Sequence, residues 1–247
     1  MATLFSNIIK VDQTVSTNSY ASKLLKIEKA KEGTVIFANF QTKGEGQRGE
    51  IWQSEYGKNI LTSMIISPKI SIKDQFNVTT CIALSLFDLM SKYFYQKVTI
   101  KWPNDILVAD KKIAGILIQN VVSRGVIKDV IVGVGINVNQ KRFSDYSTKA
   151  TSFVLELEKE VSLSLLQNQL MLAVEARYLQ FQEGKMKEMK SEFLENLFGF
   201  DLWRNYIVDD QEVKAKIIGI DEYGRLILRF QNDSINAFSL KEIVYSS

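Results

Sequence analysis

The chain has 247 residues, 46% hydrophobic and 24% charged, with a formal net charge of +3. That length admits one large domain, or a large and a small one, and the balanced charge excludes the basic bulk of a general nucleic-acid or membrane-surface binder. There is no histidine and only one cysteine, Cys81, which excludes His-based triads, His metal sites, thiolate zinc sites and an intramolecular disulfide. Cys81 has Ile82, Ala83 and Leu84 beside it and reads as a small buried apolar residue rather than a nucleophile. Residues 1–10 lack a basic run followed by an apolar stretch, so no signal peptide is expected. The longest apolar run, residues 130–138, is well short of the ~20 residues that cross a bilayer, so the expected location is the cytoplasm.

In chain order, residues 8–11 read as a strand. Ser16-Thr17-Asn18 then supplies an N-cap for a helix carrying Tyr20, Ala21, Leu24 and Leu25. Residues 34–40 and 59–66 are β-rich. Residues 74–95 carry a helical stripe through Val78, Ile82, Leu86 and Leu89. Residues 98–102 read as a strand, and Asp110-Lys111 as the turn of a hairpin between residues 106–108 and 113–118. Residues 127–138 form a further long strand. Leu166, Leu170, Val174 and Tyr178 recur every four residues, so residues 163–181 form an amphipathic helix, followed by another over 186–197. Beyond about residue 200 apolar positions alternate, as at Val213, Ala215 and Ile217 and at Leu226, Leu228 and Phe230. This predicts hairpins and a small β-barrel. The expected division is an α+β unit over 1–199 and a barrel over 200–247.

Four stretches carry polar groups where chemistry is plausible. Gln41-Thr42-Lys43-Gly44-Glu45-Gly46-Gln47-Arg48-Gly49 follows a strand and leads to Trp52. Its glycines let backbone N–H groups approach an anion, although such a loop alone is more often a flexible surface turn. Lys101-Trp102-Pro103-Asn104-Asp105 ends a strand with a cation, an amide and a carboxylate, a set suited to a nucleotide and Mg²⁺. Lys112 opens the strand that contains Gly115, where a glycine implies close approach of a ligand or backbone. Gly133-Val134-Gly135-Ile136-Asn137 interrupts a buried strand with an amide that needs a partner.

Taken in order, Ser16-Thr17-Asn18, the Gly-rich loop with its Trp, Lys-Trp-Pro-Asn-Asp, Lys-Ile-Ala-Gly-Ile-Leu and Gly-Val-Gly-Ile-Asn-Val resemble the biotin–protein ligase family over residues 16–139. The β-rich tail looks like that family's small C-terminal barrel. The resemblance implies an α+β fold: a mixed, mainly antiparallel sheet with helices on one face. It also implies two half-reactions. Biotin and ATP give biotinyl-5′-AMP, and a lysine of a biotin carboxyl carrier domain then takes the biotin. By the same resemblance Ser16, Thr17, Asn18 and Gln41 hold the biotin ring, and Gly115 lines its pocket. Residues Gly44, Glu45, Gly46, Gln47 and Arg48 form the loop over biotin and phosphate. Trp52 stacks near the adenine, Lys101, Asn104 and Asp105 serve ATP and Mg²⁺, and Asn137 contacts the adenylate. Lys112 binds the biotin carboxylate and the reacting phosphate as the principal catalytic cation. Asp105 is a candidate base for the acceptor lysine.

The loop departs from the family pattern Gly-Arg-Gly-Arg-x-Gly by carrying Glu45 and Gln47 at the two Arg positions. A wrong-sign charge ~4 Å from a phosphate costs about 4 kcal/mol at an effective dielectric of 20. Glu45 is therefore expected to point outward or to pair with Lys43 or Arg48, leaving Arg48 as the loop's phosphate cation. Gln47 implies a looser hold on the adenylate. The Ser-Thr-Asn motif begins at residue 16, which leaves no room before it for the DNA-binding helix-turn-helix of the family's longer class. With the small net charge, no DNA binding is expected. Two alternatives stay open: a lipoate–protein ligase, whose acyl pocket suits a linear chain, and a biotin-binding protein without turnover. An exposed sheet edge in this family can pair with an acceptor or a second subunit, so a homodimer is compatible with the sequence.

Overall fold

A parallel pair of strands needs a crossover, and the chain begins with one. In the computed structural model, which describes residues 4–95, 97–143, 150–240 and 242–246 (all but the side chain of Arg48), β1 (Asn7–Thr14) and β2 (Thr34–Gln41) run parallel. They are joined through α1 (Thr17–Lys26). The later strands are β3 (Ile60–Ile66), the two-residue β4 (Ile70–Ser71), β5 (Val98–Lys101), β6 (Asp105–Val108), β7 (Lys111–Ser123) and β8 (Val126–Ile136). Their order is β1-β2-β3-β8-β7-β6-β5, with β4 against β8, and every pairing after β1–β2 is antiparallel. The β6–β7 turn lies one residue earlier than expected, at Ala109-Asp110, both at positive φ (47° and 61°). Two successive left-handed residues match the twist of a two-residue hairpin.

Strand alternation sorts the sheet into two faces. Val35, Phe37, Met64, Ile66, Val130, Val132 and Val134 share one buried cluster with α2 (Gln75–Ser91) and α4 (Leu163–Gln182). Ile36, Ile65 and Ile131 point the other way and cluster with Ala21 of α1. Helices therefore cover both faces, and the expectation of a single helical face is corrected. Cys81 is buried in the first cluster, and burial pushes its thiol up to about 12, which fits an inert core residue. Arg177 of α4 bonds both oxygens of Asp88 on α2 (2.6 and 2.8 Å) and both of Glu192 on α5 (Met186–Glu195; 2.6 and 2.5 Å), tying three helices together. A short α3 (Phe153–Leu157), absent from the sequence expectations, buries Phe153 against Phe94 and Tyr93.

The tail strands β9 (Arg204–Val208), β10 (Gln211–Ile220), β11 (Leu226–Phe230), β12 (Ile235–Phe238) and β13 (Ile243–Tyr245) pair antiparallel in the order β12-β11-β10-β9-β13. The expected small β unit is thus a five-stranded sheet, bulged between Ile217 and Gly219 of β10. Its inner residues Tyr206, Ile217, Leu226 and Leu228 join the main core. Trp102, expected at a strand end, is buried and donates its Nε1–H to the carbonyl of Gly224 at 2.9 Å. That bond fixes the tail sheet against the end of β5. Among the described residues no helix is long and apolar enough to cross a membrane.

Candidate functional site

The site lies on the α1 face of the sheet, past the N-terminus of the helix. Along β8 that face reads Ile131, Gly133, Gly135, and along β3 it reads Ile65, Ser63. The isoleucines pack under α1, while the next positions carry almost no side chain. A Cβ on Gly133 would lie 2.5 Å from Asn18 Oδ1, one on Gly135 2.4 Å from the Trp52 indole, and one on Gly115 2.9 Å from the same ring. The glycines are thus spaces that admit two larger side chains, and the close approach expected at Gly115 is that of Trp52. Around them opens a cavity of about 530 Å³.

One wall is polar and comes from the start of α1. Ser16 caps the helix, its Oγ accepting from the Ser19 N–H at 3.5 Å. Thr17 donates its N–H and its hydroxyl to Gln41 Oε1 (2.7 and 3.1 Å). Ser63 lies close to Thr17 Oγ1 (2.8 Å) and Asn18 Oδ1 (2.6 Å), and Asn18 Nδ2 donates to the Leu117 carbonyl at 3.2 Å. Ser63 was not singled out from the sequence. Its signal was the polar Thr62-Ser63 step inside an apolar strand, since a buried hydroxyl needs a partner.

The opposite wall is charged. Lys112 Nζ sits 2.7 Å from Asp105 Oδ1, each side chain about one-fifth exposed (20% and 19%). Burial pushes the Asp105 carboxyl above the ordinary aspartate range. Lys112 and Lys101 oppose that shift, and the charge of Glu50 adds to it. Lys101, opposite Asp105 in the β5–β6 pair, has its ammonium disfavoured by burial and by Lys112 and favoured by Asp105. Asn104 is on the wall, but its Nδ2 is committed to the Ile116 carbonyl at 2.7 Å.

The Gly-rich loop folds back on itself as a small hairpin. Gly46 N–H donates to the Glu50 carbonyl (2.7 Å), Trp52 N–H donates to Gly44 (2.9 Å), and Glu45 bridges Ile51. Glu45, Gly46, Gln47, Glu50 and Trp52 reach the cavity wall. Gly44 stands behind them, where a Cβ would meet the Trp52 carbonyl at 2.4 Å. Glu45 lines the cavity and is at the same time exposed. Among the described residues it makes no ion pair, so the expected pairing with Lys43 is not formed, and the expected alternative, Arg48, falls on a side chain outside the described residues. Asn137 is buried beyond the wall, with its N–H on the Ile113 carbonyl (2.9 Å) and its Nδ2 on the Thr151 carbonyl (3.0 Å). The partner its position demanded is supplied by the protein.

Leu240, Ile243, Val244 and Tyr245 of the tail also line the cavity. No motif in the sequence marks them, because only the docking of the second sheet brings them there.

Residues 10–137 match the model of the biotin/lipoate A/B protein ligase family. The chain is 28% identical over 239 residues to the bifunctional ligase/repressor BirA of Bacillus spizizenii, covering 91% of this chain and 70% of that protein. It is 31% identical over 129 residues to the biotin–[acetyl-CoA-carboxylase] ligase of Paracoccus denitrificans, covering 51% of this chain and 52% of that one. The biotin protein ligase of Aquifex aeolicus, solved in complex with biotin and ATP, has a similar fold, with a TM-score of 0.79 at 23% identity over 98% of this chain and all of that one.

Proposed function

Because the chain belongs to the biotin/lipoate A/B protein ligase family, we propose that it is a biotin–protein ligase that makes biotinyl-5′-AMP from biotin and ATP and passes the biotin to a lysine of a biotin carboxyl carrier domain. The observation that carries this reading is one cavity with a polar wall at Thr17, Asn18 and Gln41 and a cationic wall at Lys101 and Lys112. A ureido ring offers both donors and an acceptor to the first wall. Two anions, a carboxylate and a triphosphate, need the second.

In this mechanism Lys112 offsets the repulsion between the biotin carboxylate and the α-phosphate it attacks, and pyrophosphate leaves. Fixed cations in a water-poor site stabilise such charge far better than solvent does. Lys101 holds phosphate oxygens. Asp105 keeps Lys112 in place, and its raised proton affinity suits it to accept a proton from the incoming lysine amine as that amine attacks the acyl carbon and AMP departs. The 44–52 hairpin and Trp52 shield the mixed anhydride from water. Among the described residues no group of three or more acidic, His or Cys side chains could hold a resident metal. Mg²⁺, when bound with ATP, would be held mainly by phosphate oxygens, with Asp105, Glu45 and Glu50 as the carboxylates the cavity wall offers, and would neutralise phosphate charge. The edge of β1, which has no further strand beside it among the described residues, is where an acceptor strand or a second copy would pair.

The test is the intact mass of a carrier domain incubated with the protein, MgATP and either biotin or lipoate. A single ATP-dependent biotinyl addition is expected. Lipoyl addition instead would assign the acyl pocket to a linear chain. Biotin binding with neither addition nor biotin-dependent pyrophosphate exchange would make the protein a binder without turnover, the reading that Glu45 at the cavity favours.

A further inference from the structure

We propose that Tyr245, the last residue of β13, is a positioning residue for Lys101, its ring face holding the ammonium at the cavity wall and so making the tail sheet part of the active site. This inference rests on the adenylating reading above. Lys101 Nζ lies 4.9 Å from the centroid of the Tyr245 ring, and both residues line the cavity. The ring itself is held by β9, where Tyr245 pairs with Tyr206 (ring centroids 5.4 Å apart), and by Phe198 at 5.9 Å.

The charge environment explains why a ring, rather than an acid, is useful here. The groups facing Lys101 are Asp105 from β6, Lys112 from β7 and Tyr245 from β13. Asp105 is already engaged by Lys112 at 2.7 Å, and among the described residues Lys101 has no ion pair of its own. Burial works against its charged form. A carboxylate partner would restore that charge, but it would compete with phosphate for the same N–H donors. An aromatic face attracts the cation through its quadrupole and carries no anion that phosphate must displace. The Tyr245 hydroxyl is buried without a hydrogen-bond partner among the described residues, so the ring, not the hydroxyl, is the working part.

The experiment compares Tyr245→Leu with Tyr245→Phe in the full chain. The first readout needs no substrate: the titration midpoint of Lys101, followed by NMR after reductive ¹³C-methylation and assigned with Lys101→Arg. Tyr245→Leu is expected to lower the proton affinity of Lys101 by about threefold to thirtyfold, with Tyr245→Phe restoring it. The second readout is biotin-dependent pyrophosphate exchange. There Tyr245→Leu raises KM for ATP by a similar factor and moves the alkaline limb to lower pH. The KM for biotin stays unchanged, and Tyr245→Phe rescues both effects. If Leu and Phe titrate alike, or if both lose exchange equally with the alkaline limb unmoved, the positioning role is overturned. If the unaltered protein shows no exchange, it is the adenylating reading that fails, and the Lys101 titration still decides whether Tyr245 holds the cation.

Discussion

Strand β8 carries two faces built on opposite plans. One face, Val130, Val132, Val134 and Ile136, is filled from its own strand and closed by α2 and α4. The other passes from Ile131 to Gly133 and Gly135, and its volume is filled by Asn18 and Trp52, which arrive from elsewhere in the chain. Branched side chains on a strand fix a face to a single helical partner by packing. Glycines on a strand surrender that packing and leave the space to side chains that can bind. The same eleven-residue strand therefore carries the core and the floor of the site.

This comparison can be broken most forcefully at its extremes. Arg177→Ala acts on the filled side. It strands the carboxylates of Asp88 and Glu192 and is expected to cost about 3–4 kcal/mol of unfolding free energy. That is at the low end for a broken buried network, because both carboxylates keep about one-third of their exposure (36% and 35%). Denaturant unfolding reads it, and the KM values of the folded fraction stay unchanged. Lys112→Met acts on the open side. Exchange should fall about 10²–10³-fold, and the loss should persist well below the melting midpoint. An equal loss of KM in the first variant, or full activity in the second, would dissolve the distinction between the faces.

Smaller changes sharpen the comparison. Gly135→Ala puts a Cβ against the indole of Trp52 and is expected to cost about 1–3 kcal/mol, with a change in Trp52 fluorescence that Val134→Ala does not produce. Protonation gives a signed test. The folded state holds the Asp105 proton more tightly than the unfolded chain does. This group's share of stability is therefore lost as pH rises through its folded-state value and recovered as pH falls. Asp105→Asn should flatten that part of the stability profile. The smallest effect is at Glu45, whose exposure screens its charge. Glu45→Gln should lower KM for ATP by about threefold, and no change would mean the carboxylate does not meet phosphate.

Much of the molecule was legible in the chain. Helix α4 follows from Leu166, Leu170, Val174 and Tyr178, and the polar wall follows from Ser16-Thr17-Asn18 and Gln41, because caps, periods and motif order are local. Other features were not. The buried amide of Asn137 called for a partner, but not for Thr151, fourteen residues on, whose carbonyl takes it. Glu45, expected to point outward or to pair with Lys43 or Arg48, is exposed and yet lines the cavity, because the loop hairpin brings it there. Arg177 and Ser63 carry no motif, and their importance comes from partners on other elements.

The sequence by itself determined the long helices and most strands, the order of the polar motifs and the absence of histidine chemistry, since each depends on residue type and near spacing. Tertiary structure decided that α1 covers the face opposite α2, that Trp52 rests on Gly115 and Gly135, and that Tyr245 comes to Lys101. These are pairings across long stretches of chain, fixed by which strands meet and which faces have room, and no local pattern encodes them.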